Sequence, residues 1–129
     1  MHRMKSLFLF FLLLISTLIS AQSESKRILR FDVVEIERND IPYDSKELFD
    51  FKFINATGQT VTITNVQTSC GCTAAEKPKN PIKKKKSGTI SVSYDTKRVG
   101  EFVKTITVTS DKAPPVVLTI KGNVLPQNQ

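Results

Sequence analysis

Apolar and polar residues alternate with a period of two through most of this chain, and this alternation limits the folds that it can form. Phe49, Phe51 and Phe53 lie on one side of an extended segment, with Asp50 and Lys52 on the other. Successive side chains of a β-strand point to opposite faces, whereas an α-helix needs a period of about 3.6 residues. The same alternation returns at Val61 and Ile63, at Ile90, Val92 and Tyr94, at Phe102, Ile106 and Val108, and at Val116, Leu118 and Ile120. We therefore predict strands and no substantial helix.

The strand pattern predicts an all-β fold, an immunoglobulin-like antiparallel β-sandwich of about seven strands. We expect residues 28–36 to form the first strand, with a mixed pattern, and residues 73–76 to form a short one. Turn-forming residues separate the segments. A small barrel is the alternative fold. The disulfide that joins the two sheets of antibody domains is excluded, because both cysteines lie in one short segment and tryptophan is absent.

The strand before the cysteines is expected to bulge or end near Asn65. Val61 and Ile63 share a face, but the next apolar residue, Val66, has the opposite parity. Because a bulge or a strand end reverses this parity, we expect the cysteine pair at a strand end or on a loop.

The only two cysteines of the chain, Cys70 and Cys72, flank Gly71. Residues two apart in an extended strand are about 6.6 Å apart at the backbone, whereas the Cβ atoms of a disulfide lie about 3.8 Å apart. A turned backbone at Gly71 would close this gap, and glycine suits such a turn because it reaches positive φ without steric cost.

Three interpretations of the cysteine pair stay open. The first is structural, as a local disulfide or as two small half-buried side chains, since exported cysteines are usually oxidised. A disulfide that closes so small a loop predicts weak stabilisation. The second is thiol–disulfide exchange, for which Lys77 and Lys79 would lower a thiol pKa if they approach it. The third is Cu(I) binding by soft thiolates, with a dimer supplying four of them.

Residues 1–21 have the three parts of a secretory signal peptide. His2, Arg3 and Lys5 precede an apolar run over residues 7–15, and small or polar residues follow up to Ala21. The run is shorter than the roughly 20 residues that span a bilayer. We predict cleavage near Ala21, a periplasmic or secreted protein with no transmembrane span, and a single domain over residues 22–129.

Removal of the signal peptide changes the chemistry that remains. His2, Met1 and Met4 are the only histidine and methionines, and all three lie in it. Nucleophilic catalysis by serine or cysteine uses an imidazole base, and structural zinc sites need four soft ligands. We therefore predict that the mature chain is not an enzyme and has no resident cofactor.

The basic excess of the chain is local. Without Arg3 and Lys5, the 19 basic residues fall to 17 against 12 acidic ones, and a run of four lysines accounts for most of the excess: Lys83, Lys84, Lys85 and Lys86. Such a basic patch attracts polyanionic glycans, acidic lipid headgroups or nucleic acid. The run contains no aromatic residue for base stacking, so we predict no nucleic-acid binding. The structural interpretation is that these lysines belong to a loop that keeps the chain soluble and discourages edge pairing.

Two further patterns have a structural and a functional interpretation. Asn55-Ala56-Thr57 matches the glycosylation acceptor pattern and also forms a good turn, and we favour the turn. The three phenylalanines at residues 49–53 could line a groove, but their strict alternation favours the core.

Five stretches together resemble a known family: F-I-N-A-T-G at residues 53–58, I-T-N-V-Q-T-S-C-G-C-T at 63–73, G-T-I-S-V at 88–92, G-E-F-V-K at 100–104 and L-T-I-K-G at 118–122. In order and spacing they resemble exported bacterial domains of unknown function, family 1573, over residues 44–124. The resemblance implies an immunoglobulin-like sandwich related to the major-sperm-protein and cilia-associated domains. It implies no activity, because the family has no established one. Members often have proline and glycine where this chain has residues 84–86.

Taken together, these patterns predict an exported, non-catalytic immunoglobulin-like domain that binds a protein or glycan of the cell envelope or the extracellular space. The loop of Cys70 and Cys72 is the expected functional surface. The alternative is a thiol-redox or Cu(I)-handling protein that uses the same pair, in which case a dimer is possible.

Overall fold

Eight β-strands in two sheets form the fold, which was obtained as a computed structural model that describes residues 28–128. The strands are β1 (Leu29–Phe31), β2 (Glu35–Ile41), β3 (Leu48–Asn55), β4 (Ile63–Thr68), β5 (Thr73–Glu76), β6 (Ser87–Tyr94), β7 (Gly100–Ser110) and β8 (Val116–Val124). The first sheet has the order β1-β3-β6-β5 and the second the order β2-β8-β7-β4. The predicted signal peptide lies outside the described residues.

The predicted sandwich is confirmed, with a correction to the strand count. The expected first strand is in fact two strands, because the chain crosses between the sheets near residues 32–34. Leu29 pairs with Asn55 in the first sheet, whereas Glu35 pairs with Thr119 in the second. The β2–β8 pair is parallel, and the other strand pairs among the described residues are antiparallel.

The alternating apolar residues form the core between the two sheets. Phe49, Phe51 and Phe53 are at most 1% exposed, so they line the core rather than a groove. Phe49 of the first sheet meets Phe102 of the second edge to face, with ring centroids 6.3 Å apart. Each buried aromatic side chain contributes about 1.5–3 kcal/mol to the free energy of folding. The core therefore holds the sheets together and fixes the loops at both ends of the sandwich.

The parity change before the cysteines is a β-bulge. The register of β4 against β7 shifts between Ile63 and Asn65, and the strand then continues to Thr68. Beyond it the chain leaves the second sheet and enters β5 of the first sheet at Thr73. The cysteine motif is thus the crossing from one sheet to the other.

Within the described residues, no helix is long and apolar enough to cross a membrane.

Candidate functional site

Three loops meet at one end of the sandwich, which we name the cysteine end: residues 42–47, 69–72 and 95–99. Ser69 N–H donates to the carbonyl of Thr105 at 3.0 Å, and Asp95 N–H donates to the carbonyl of Cys72 at 2.9 Å. Asp44 N–H donates to the carbonyl of Thr96 at 3.2 Å. The first of these bonds ties the cysteine loop to β7, and the other two connect the three loops to one another, so the cysteine end is one continuous surface.

Cys70 and Cys72 form a disulfide with their Cα atoms 5.4 Å apart. The backbone turns between them, as expected, and Thr73 N–H donates to the carbonyl of Cys70 at 3.4 Å. Gly71 does not use a positive φ for this turn, since among the described glycines only Gly58 and Gly100 take one. Nothing lies within 4 Å of where a Cβ at Gly71 would stand. The turn therefore does not need the special conformations of glycine.

The two sulfurs differ in their access to solvent. Cys72 is 9% exposed, whereas Cys70 is half-buried. The Thr73 hydroxyl lies 3.7 Å from the sulfur of Cys70 and 3.8 Å from that of Cys72, and Cys72 N–H donates to Cys70 Sγ at 3.3 Å. An attacking thiolate would reach Cys70 first, and the groups beside the sulfurs would stabilise a thiolate by hydrogen bonding.

The turn beside the cysteine loop is held by its own hydrogen bonds and leads into an exposed apolar residue. Lys97 N–H donates to Asp95 Oδ1 at 3.1 Å, and Arg98 N–H donates to the carbonyl of Asp95, also at 3.1 Å. Gly100 closes the turn with φ of 106°. Val99, between this turn and Gly100, is 53% exposed. A valine held in this way is an apolar contact point on an otherwise polar turn.

An aromatic stack supports this turn from below. The rings of Tyr94 and Phe102 lie parallel, with centroids 3.8 Å apart. Burial raises the pKa of the Tyr94 hydroxyl above its ordinary value, Arg98 opposes the rise, and Asp95 adds to it. Tyr94 therefore stays neutral at physiological pH and serves as a packing group.

The four lysines of residues 83–86 lie at the opposite end, which we name the lysine end. All four are exposed, and Lys86 N–H donates to the carbonyl of Lys83 at 3.0 Å, which closes a turn. Lys85 sits in the left-handed region with φ of 62°, a conformation that favours glycine. Its N–H donates to the carbonyl of Asn55 at 2.9 Å. The structure thus presents the lysines on a fixed turn.

Asn55 holds the lysine end together and is fully buried. Its side-chain amide donates to the carbonyls of Gln59, at 2.6 Å, and Ile82, at 2.8 Å. Its side-chain oxygen accepts from the Thr57 hydroxyl at 2.6 Å. The interpretation of residues 55–57 as a turn is confirmed, and the buried amide is not accessible to a glycosylating enzyme in the folded protein.

Sequence reasoning missed Thr73 and Asp95 as neighbours of the disulfide. Thr73 is the residue after the motif, but only the turned backbone brings its hydroxyl to both sulfurs. Asp95 reaches the loop through the pairing of β5 with β6. The turn-forming residues 98–100 were the signal that the sequence offered for this neighbouring loop.

The structure does not bring further metal-ligating residues to the cysteines. Within residues 28–128, no group of three or more histidine, cysteine, aspartate or glutamate residues is placed to hold a metal ion. Binding of Cu(I) by Cys70 and Cys72 would require prior reduction of their disulfide.

A family described as protein of unknown function (DUF1573) matches residues 29–124, fifteen residues earlier than the predicted start at residue 44. No curated protein matches the chain.

Three solved structures show the same fold. The ASH/PapD-like domain 7 of human CEP192 has a TM-score of 0.68 at 5% identity, over 85% of this chain and 93% of that one. A protein of unknown function from Porphyromonas gingivalis W83 has a TM-score of 0.61 at 11% identity, over 81% of this chain. The VesB protease of Vibrio cholerae has a TM-score of 0.58 at 13% identity, over 78% of this chain. The chain spans 51% of the Porphyromonas structure and 33% of the protease.

Proposed function

The chain belongs to the DUF1573 family of proteins of unknown function, and we propose that it is an exported, non-catalytic immunoglobulin-like domain that binds another component of the cell envelope or extracellular space through its cysteine end. The fold that it shares with a PapD-like domain supports a role in protein interaction. Fold alone does not assign a function, so the proposal depends on the surface of this chain.

The observation that carries the proposal is the rigid joining of two loops at the cysteine end. The disulfide closes the loop of Cys70 and Cys72, and Asp95 fastens the neighbouring turn to it through the 2.9 Å backbone hydrogen bond. This turn presents the exposed Val99. A surface that is already ordered loses little conformational entropy on binding, which favours affinity.

Export is the second part of the proposal and rests on residues 1–21. Their basic start, apolar run and small residues near Ala21 are typical of a cleaved signal peptide. Cleavage would remove the only histidine of the chain, which supports a non-catalytic role. The protein would then act in the periplasm or outside the cell.

Site-specific photocrosslinking in intact cells tests the binding surface. A photoreactive amino acid in place of Val99 is expected to give a discrete adduct with one partner. The matched control is Val117, which is equally exposed at 55% but lies on the face of the second sheet. Excess purified protein should compete for the partner, and its Val99→Asp variant should not. No adduct from Val99, or the same adduct from Val117, would disprove the proposal.

Thiol–disulfide exchange is a second candidate function, favoured by the unequal exposure of the two sulfurs. A thiolate of a partner dithiol would attack Cys70 Sγ, and the disulfide would break with Cys72 leaving as a thiolate. The second thiolate of the partner would then attack the partner sulfur that is bonded to Cys70 in the mixed disulfide, and Cys70 would leave as a thiolate. Two electrons would pass to the pair of Cys70 and Cys72, which would take up two protons, and the partner dithiol would become a disulfide.

The Thr73 hydroxyl provides the test of exchange. If it stabilises the thiolate of the reduced form, Thr73→Val should lower the reduction potential of the pair by about 30 mV. Thr107→Val, a substitution of the same kind on β7, should leave the potential unchanged. Equilibration with a glutathione redox buffer gives both values. Equal potentials in both variants and the parent would rule out a role for Thr73, and resistance to the buffer would rule out exchange.

A further inference from the structure

We propose that the groove beside the first half of β6 binds an extended, acidic segment of a partner protein, which adds as a strand to the first sheet. This site lies at the lysine end and is separate from the surface assigned above to the cysteine end. Three observations carry it: an uncovered strand edge, a groove along that edge, and unpaired positive charge around it.

The uncovered edge follows from the hydrogen-bond alternation of β6. Asp95 N–H donates to Cys72 on the β5 side, and Asn55 N–H donates to the Lys86 carbonyl on the β3 side, each at 2.9 Å. Because backbone groups of successive residues point to opposite edges, Ser87 and Thr89 face the β5 side. However, β5 ends where Glu76 pairs with Ser91. Among the described residues, the pairing of β5 with β6 does not reach Ser87 or Thr89, and no backbone group outside the strands bonds to them on that side.

The sequence explains why β5 stops short of these residues. Pro78 and Pro81 have no N–H to donate, so the chain cannot continue the ladder along β6. Lys77 instead reaches toward the second sheet, where its ammonium group donates to the carbonyls of Ile63, at 3.2 Å, and Thr64, at 3.1 Å. The connection is thereby drawn away from β6 and leaves the edge bare.

A groove of about 400 Å³ lies along this edge. Residues 76–80 of the connection form one wall, and Ser87, Thr89 and Ser91 of β6 line the other. Its volume is within the range of ligand-binding sites in proteins. Strand addition needs what this groove contains, namely backbone donors and acceptors spaced as in a sheet with room beside them.

The charge around the groove selects an acidic partner. Residues 76–86 contain six lysines and one acidic residue, Glu76. None of the six lysines forms an ion pair with a carboxylate of residues 28–128. Lys85 keeps a φ of 62°, a left-handed conformation that is unfavourable for a lysine and favours glycine. Residues in such conformations cluster at functional sites.

The same charge argues against pairing with a second copy of this chain. Two copies would bring the same lysines together, and lysines on a sheet edge are a common device against self-association. An acidic strand meets no such repulsion and forms backbone hydrogen bonds in addition. A polysaccharide or a lipid headgroup would use the lysines but not the edge of β6, and this difference separates the occupants experimentally.

Titration of the ¹⁵N-labelled mature protein with a capped ten-residue peptide of alternating glutamate and threonine tests the proposal. We expect the amide signals of Ser87 and Thr89 to shift and their hydrogen exchange to slow when the peptide is bound. A peptide of the same sequence with alternate backbone nitrogens methylated should bind at least tenfold more weakly, since it cannot pair along one edge. These readouts involve neither Val99 nor the disulfide.

Two double variants, each of which removes two positive charges, distinguish binding in the groove from general electrostatic attraction. Lys79→Ser/Lys84→Ser should weaken binding about fivefold. Lys46→Ser/Lys97→Ser, at the cysteine end, should leave it unchanged. Equal binding of the two peptides, or unprotected amides at Ser87 and Thr89, would overturn the proposal. So would lysine-dependent binding of a sulfated oligosaccharide or of phosphatidylglycerol vesicles without any binding of the peptide.

Discussion

The two ends of the sandwich are held in place by different kinds of bond. At the cysteine end, a covalent bond joins Cys70 to Cys72 and closes a loop of three residues. At the lysine end, one buried side chain, Asn55, ties together segments that are 27 residues apart in the sequence. The stabilisation from a disulfide grows with the logarithm of the number of residues in the loop that it closes, so a three-residue loop is stabilised little. A buried polar group that is left without hydrogen-bond partners costs its full desolvation energy. The noncovalent end should therefore be the more sensitive to mutation.

Asn55→Ala should have the largest effect on stability. It removes the side-chain hydrogen bonds to Gln59, Ile82 and Thr57 and leaves the buried carbonyl of Ile82 with one partner fewer. We expect the free energy of unfolding to fall by about 3 kcal/mol, measured by urea denaturation. Asn65→Ala, at an exposed position of β4, is the matched control and should change it by less than about 0.5 kcal/mol. Equal losses would show that Asn55 does not hold the lysine end.

Gly88→Ala should have the next largest effect, and Gly71→Ala almost none. A Cβ at Gly88 would stand 2.5 Å from Cζ of the Phe53 ring, which is fixed in the core, whereas a Cβ at Gly71 meets nothing within 4 Å. We expect Gly88→Ala to lower the free energy of unfolding by about 2 kcal/mol. Thermal unfolding of both variants checks the contrast. A large loss for Gly71→Ala would mean that the cysteine loop needs glycine after all.

Replacement of both cysteines by serine should cost about 1.5 kcal/mol, because the disulfide closes only three residues. The double variant avoids leaving a single thiol. Comparison of its urea midpoint with that of the reduced and alkylated parent separates the loss of the bond from the change of side chain. A loss as large as that of Asn55→Ala would contradict the ranking of the two ends.

Lys85→Gly should raise the free energy of unfolding by about 0.5 kcal/mol. Glycine relieves the strain of φ at 62° but loses more entropy on folding than lysine. Lys84→Gly, one residue earlier and not in the left-handed region, should lower it instead. If both variants are destabilised, the strain assigned to Lys85 is absent.

The sequence was sufficient to predict the sandwich and its core, because the alternation of Phe49, Phe51 and Phe53 is a local pattern. The bulge near Asn65 was predictable for the same reason. The division of residues 28–36 into β1 and β2 was not, since the mixed pattern there does not show where the chain changes sheets. The parallel pairing of β2 with β8 is likewise a property of the tertiary fold.

The candidate sites divide in the same way. The cysteine motif and the lysine run were visible in the sequence, but their surroundings were not. Thr73 and Asp95 reach the disulfide through a turned backbone and through strand pairing. The uncovered edge at Ser87 and Thr89 depends on where β5 ends relative to β6. The register between two strands is set by the tertiary fold and not by local sequence propensity.

The central claim is that the protein is an exported domain whose cysteine loop is closed by a disulfide. The most direct test is the mass of the protein after its thiols are trapped with an alkylating reagent in intact cells. The account predicts a chain of residues 22–129 that carries no alkyl group and is two hydrogens lighter than its reduced form. A chain that retains residues 1–21, or one that carries two alkyl groups, would contradict it.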